Sequence, residues 1–259
     1  MAEDSSRGER VRAVPVVGRP QKQASLIAKH IMREIDTRGL REGDQLPPER
    51  EMLEMYSVGR GTLREALRVL ELHGVLMFKP GRGGGPVITT PDSRHLASTL
   101  ALMMQFSETR FSSVVEARQY LEPITAGLCA EKASDEILEA IRDSVDAMEA
   151  NMDDSDAFLE ENRRFHDLVA QGSGNPLFGY FISSLHWITD GTALGVGYAP
   201  KYRRITWRAH RQVYLAIESR DPERAQAAML DHMTNSRIYF EKNYTEILDQ
   251  RLGWELYGA

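Results

Sequence analysis

Apolar residues recur along this chain with a helical period almost from end to end. Ala24, Ile27, Ala28, Ile31 and Ile35 fall three or four positions apart until Gly39, which predicts a helix ending where "REGDQLPPER" breaks the pattern. A short helix is expected from Glu49 to Tyr56, then a "SVGR" turn. The next helix sets Leu63, Leu67 and Leu70 on one stripe and stops at the glycine signal His73-Gly74. "VLMF" and "PVITT" read as two short strands joined by the glycine-rich loop "KPGRGGG". Beyond "PDSRH" the pattern predicts seven helical segments, roughly 93–106, 111–131, 134–152, 155–172, 176–192, 200–219 and 222–245. Ser134, Asn175 and Asp221 each precede an acid or a proline in the first turn, which marks helix starts. The fold class is therefore mainly α: an N-terminal helix-turn-helix with a hairpin, joined to a C-terminal all-α bundle. Four segments result: a flexible tail 1–20, a first domain 21–92, a helical domain 93–245 and a C-terminal tail 246–259.

Composition narrows this picture. The 259 residues are 42% hydrophobic, enough to bury a full core, and no stretch approaches the ~18 consecutive apolar residues of a membrane span. Nothing at the start resembles a secretion signal, so a cytoplasmic protein without membrane contact is expected. The single cysteine, Cys129, excludes an internal disulfide and lies in the apolar run "AGLCA", as a core thiol would. Charge is unevenly spread. The formal net charge is −6, yet residues 21–92 hold 11 basic and 10 acidic side chains, whereas 93–259 hold 17 and 25. The acidity belongs to the helical domain, which leaves room for a local cationic face near the N-terminus.

Such a face exists in "SVGRGTLREALRVLELHGVL". Arg60, Arg64 and Arg68 recur every four residues beside the leucine stripe, on the helix that follows the turn. Helix, helix, helix, hairpin is the layout of a winged helix-turn-helix, whose second motif helix enters the major groove of DNA. Arg60 and Arg64 supply long donors at its leading end for guanine acceptors and phosphates, and Thr62 adds a contact. Arg82, among loop glycines, can approach the backbone or minor groove closely. The competing reading, a solvated face pairing with Glu49, Glu65 and Glu71, accounts for neither the turn nor the glycine wing.

"QLPPEREMLEMYSVGRGTLREALRVLELHGVLMFKPGRGGGPVI" resembles the N-terminal domain of GntR-family bacterial transcription regulators over about residues 22–90. The resemblance implies DNA contacts at Arg50, Arg60, Thr62 and Arg64, with Gly81 and Arg82 at the wing tip. Two positions depart from the family pattern: Pro48 stands where a helix-capping serine is usual, and Gly59 where a second hydroxyl residue is.

In the helical domain three histidines sit on inward faces. His166 follows Asn162 by four residues, His210 shares a face with Trp207, Val213, Tyr214 and Ile217, and His232 shares one with Ala225, Ala228 and Met229. Three imidazoles and an amide suit a divalent cation such as zinc, nickel or manganese, although any one of them could be a core histidine. "ARQYLEPITAGLCAEKAS", "NRRFHDLVAQGSGNPLF" and "AHRQVYLAIESRDPERAQAAMLDHM" resemble the FCD effector domain of the FadR subfamily, over about residues 95–243. That resemblance implies a metal site at Asn162, His166, His210 and His232 on the floor of an effector cavity, with Asn162 replacing the usual aspartate. It also implies that Arg118 lies near the cavity, where it could grip a carboxylate; pairing with Glu116 or Glu122 is the alternative. The expected protein is a ligand-responsive transcription regulator that binds a pseudo-palindromic operator as a homodimer. Its effector is expected to be a small organic acid, and repression and activation are not distinguished by sequence. A metal-dependent hydrolase using the three histidines is the competing class, but no HExxH spacing or spare general base accompanies them.

Overall fold

The computed structural model describes residues 20–81, 83–189 and 194–256, which divide into two compact units between Asp92 and Ser93. In the first, α1 (Pro20–Thr37) packs on α3 (Arg60–Leu72), with α2 (Glu49–Tyr56) completing a three-helix core. The stripes seen in the sequence meet there: Ala24, Ile27 and Ile31 of α1 lie buried with Met52 and Tyr56 of α2 and Leu63, Leu67 and Leu70 of α3. The turn between α2 and α3 is made by Ser57 in the left-handed region (φ 51°), whose N–H closes on Leu53. Neither Pro48 nor Gly59 supplies a side-chain cap to the helix it precedes.

β1 (Leu76–Lys79) and β2 (Gly85–Ile88) form an antiparallel hairpin in the register Leu76↔Ile88 to Lys79↔Gly85. Residues 43–46 extend along β2 through Leu46 N–H to Pro86 O and Ile88 N–H to Asp44 O, both 2.9 Å. The hairpin tip needs glycine, because a Cβ at Gly84 would collide with the Lys79 carbonyl. Arg82 and residues 1–19 lie outside the described residues.

The second unit is a bundle of α4 (Ser93–Phe106), α5 (Phe111–Lys132), α6 (Asp135–Ala150), α7 (Ser155–Gly172), α8 (Pro176–Thr189), α9 (Pro200–Glu218) and α10 (Pro222–Asn243). Ser134, Asp154 and Asp221 cap α6, α7 and α10 with side-chain oxygens. α5 runs through the centre, packed on α7, α8, α9 and α10, and leaves exposed mainly the edge of Ser113, Glu116, Tyr120 and Ile124. Close approach of α5 and α7 is set by Gly172, where a Cβ would collide with the buried Cys129 Sγ. That thiol sits in the core and burial pushes its pKa up to about 12, so it is an inert apolar group.

The segment expected as a C-terminal tail is instead packed. α11 (Thr245–Asp249) and a 3-10 turn (Trp254–Leu256) return to the bundle, because Leu248 and Leu252 are buried beside Phe111 and Phe240. No helix among the described residues is long and apolar enough to cross a membrane.

Candidate functional site

On the first unit, α3 presents Arg60, Arg64 and Arg68 to solvent along one edge, with Thr62 half-buried between them. Arg64, Arg68 and Glu49 share a groove with Phe78 of β1 and Gly84 and Gly85 of the hairpin. Gly81 lies at the hairpin tip with φ +100°. Arg64 is held by Glu49 (Nε–Oε1 3.2 Å, Nη2–Oε2 3.5 Å), and Arg50 faces Glu54 at 3.7 Å. Both pairs are largely exposed, so each is worth at most about 1 kcal/mol and can exchange partners freely. The Arg64–Glu49 pair is the contact that a purely solvated face would make, but its weakness leaves Arg64 available.

In the second unit the three histidines converge. His166 arrives from α7, His210 from α9 and His232 from α10, all buried. The Nε2 atoms of His210 and His232 are 3.0 Å apart, and those of His232 and His166 are 3.4 Å apart. Tetrahedral zinc at its usual ~2.0–2.1 Å from nitrogen spaces its ligands about 3.3 Å apart, so this spacing fits a cation of that kind. Two of the outer ring nitrogens are already engaged. His166 Nδ1 bonds the buried Glu122 carboxylate, and His210 Nδ1 meets Met148 Sδ at 3.2 Å, while Phe165 stacks on the His210 ring at 3.9 Å. A proton held on Nδ1 by such partners would leave Nε2 bare for a cation, which is how ligating imidazoles are held.

Asn162 does not enter the triad as directly as its spacing suggested. It lines the same cavity, but its amide nitrogen sits 3.3 Å from Nε2 of a fourth histidine, His186 on α8. His186 is buried, its ring centroid is 5.1 Å from that of His166, and its Nδ1 has no hydrogen-bond partner among the described residues. Arg118 of α5 is buried at the cavity wall; it donates from Nε to Glu122 at 2.6 Å and from Nη1 to Thr189 at 2.8 Å. Of the two acids proposed as its partner, Glu122 is the one it pairs with, and its remaining N–H groups are not used by that pair.

Glu122 and His186 are the two residues that sequence reasoning undervalued. Burial alone would push the Glu122 carboxyl up, but the Arg118 guanidinium and His166 hold it down at about 2. It therefore stays an anion that orients His166. Burial, reinforced by the crowding of the rings on one another and by Arg118, pulls His210 and His186 well below the ordinary 6.5 and His232 down to about 3. These rings are neutral, as ligands must be. The cavity beside them is small, about 30 Å³, room for roughly two waters.

Known proteins carry the same two parts. The family pattern described as "FCD domain" matches residues 113–235, and that described as "Bacterial regulatory proteins, gntR family" matches residues 23–84. The chain belongs to the GntR family. The HTH-type transcriptional repressor NanR of Cronobacter sakazakii is 26% identical over 220 residues, spanning 83% of this chain and 84% of that protein. NanR of Salmonella newport is 26% identical over 241 residues, 90% and 91% of the two chains. Among solved structures, Streptococcus agalactiae GntR is similar with a TM-score of 0.64 at 27% identity, covering 83% of this chain and 99% of that one. The chain is thus a helix-turn-helix transcription regulator with an FCD effector domain, an architecture consistent with the FadR subfamily. GntR-family members are regulators and not enzymes, and the hydrolase alternative finds no support. The site agrees: Glu122, the carboxylate touching the triad, is engaged by Arg118 and His166 and is not free to act as a base.

Proposed function

We propose that this GntR-family regulator is a cytoplasmic repressor that binds a pseudo-palindromic operator as a homodimer and responds to a small organic acid bound beside a divalent cation. On DNA, Arg60, Thr62 and Arg64 would read the major groove, Arg50 would hold phosphate, and Gly81 with Arg82 would meet the backbone at the wing. Repression is what the NanR relatives, HTH-type transcriptional repressors, are known for. An exposed apolar patch on α4, Leu102, Met103 and Phe106, supports association with a second copy, since soluble monomers seldom leave such a patch bare.

The observation that carries the effector reading is the buried His232 Nε2 lying 3.0 Å from that of His210 and 3.4 Å from that of His166, with the outer nitrogens of His166 and His210 held by Glu122 and Met148. His166, His210 and His232 would hold zinc, nickel or manganese, with Asn162 as a neutral fourth group. The Arg118 and Glu122 charges cancel. Three imidazoles and an amide bring none, so the ion would keep its +2 and draw a carboxylate to the open position, where Arg118 could share it.

Native mass spectrometry and elemental analysis of wild type and His210→Ala test this. One divalent ion per chain is expected, lost in the variant while helix content is retained. No ion in the wild type, and no uptake in calorimetric titration with zinc, nickel or manganese at neutral pH, would reduce the triad to polar lining of an organic pocket.

A further inference from the structure

We propose that His186 is the positioning residue of this metal site: by accepting an N–H of the Asn162 amide on Nε2, it turns the Asn162 carbonyl oxygen toward His166, His210 and His232. The inference rests on the reading that the triad holds a cation. It explains how an amide serves where a carboxylate would be usual.

A carboxylate presents an oxygen whichever way it rotates. An amide does not, because its NH₂ limb has no lone pair to give a cation and would point hydrogens at it. An asparagine beside a metal therefore works in only one of its two orientations, and something must choose that orientation. In this chain the amide nitrogen of Asn162 is engaged 3.3 Å from His186 Nε2, so the oxygen occupies the other limb. Asn162 stands one turn before His166 on α7, and both line the cavity with His232.

His186 is suited to the choice. Its ring is buried on α8 and its Nδ1 has no partner among the described residues, whereas its Nε2 faces the Asn162 amide, so the position of the ring proton follows what Asn162 offers. With the amide N–H offered, Nε2 carries the lone pair and Nδ1 the proton. The flipped amide would require Nε2–H instead. A bound cation that draws the carbonyl oxygen therefore also fixes the His186 tautomer, and the two choices are one.

Zinc affinity, measured by competition with a chelator on the full-length protein, tests the idea together with the visible spectrum of the cobalt(II)-loaded form. His186→Phe keeps a ring but no acceptor. It should weaken zinc binding by about tenfold or more and alter the cobalt bands, because one oxygen ligand is lost. His186→Gln, whose carbonyl can accept the same N–H, should recover most of the affinity. In an Asn162→Asp background His186→Phe should cost little, since a carboxylate needs no orienting. Equal losses from His186→Phe with and without Asn162→Asp would make His186 merely structural and overturn the proposal. So would tight zinc binding that ignores His186→Phe. If the phenylalanine variant does not fold, nitrogen NMR of the zinc-loaded wild type decides the matter: the Nδ1–H tautomer is expected for His186, and the Nε2–H tautomer refutes it. A wild type that takes up no zinc removes the metal reading and this inference together, whereas zinc uptake indifferent to His186 removes this inference alone.

Discussion

A histidine buried at 0% exposure, such as His210, records in its protonation what the fold has done to it. His210 and His186 are held well below 6.5, and His232 at about 3, because burial disfavours the charged ring and a proton on one would lie beside the other rings and Arg118. In the unfolded chain these rings titrate near 6.5. Between the two values the unfolded state binds more protons than the folded one, so stability falls as pH falls below about 6.5. For His232 alone the loss by pH 5 is on the order of 2 kcal/mol. Glu122 acts in a separate window: held at about 2 against 4.5 unfolded, it withdraws stability only below about 4.5. Chemical denaturation of chelator-treated protein at pH 7, 6 and 5 should show this decline. A flat profile down to pH 5 would mean the rings are not buried neutral. Zinc should protect the fold in the same range, since bound imidazoles do not protonate.

At the scale of elements, what could be read from sequence was whatever periodicity could carry. α1, α3, α6, α7 and α9 each have one buried face, so their stripes predicted both helix and orientation and placed His166 and His210 inward, while His232 was placed by the face it shares with Ala225 and Met229 on α10. α5 and α8 resisted for the opposite reason. α5 buries Arg118, Glu122, Pro123 and Thr125 among apolar neighbours, and α8, "PLFGYFISSLHWIT", is mostly apolar, so no stripe distinguished Glu122 or His186. The hydrogen bond from Asn162 to His186 joins two helices and has no signature in spacing. The helix starts were legible, including those of α2 and α3, whose preceding Pro48 and Gly59 give no side-chain cap. Gly59 precedes α3 in extended backbone (φ −77°, ψ 157°), and nothing lies within 4 Å of where its Cβ would be. A serine therefore fits without strain. Gly59→Ser should cap the α3 amides and shed the unfolded-state freedom of glycine, stabilising the N-terminal unit by about 0.5–1 kcal/mol. Calorimetry of the full-length chain should place that gain in the transition of this unit, and a loss there would mean that the glycine answers a demand other than capping.

For the molecule as a whole, DNA binding has to be achieved against its own charge. The chain is −6 overall and residues 21–92 are nearly balanced, so affinity cannot come from a broad cationic surface and must rest on a few arginines along α3. Each of these matters more for that reason. Arg64 loses little on leaving Glu49, because both partners are well exposed and the pair is screened by solvent. Arg64→Ala should then weaken operator binding by about 1–3 kcal/mol per half-site and relax specificity at the base pair it reads, while Arg50→Ala, a phosphate contact, should weaken all sequences evenly. Because a winged head of this size reaches one half-site, the full operator should take two chains, and the two heads should lose affinity together in Arg64→Ala. Fluorescence anisotropy across a salt series separates these effects: the slope of log affinity against log salt should shrink by about one for each phosphate contact removed per chain. If neither variant changes affinity, or one chain saturates an operator, α3 is a solvated face after all and the head engages DNA by another surface.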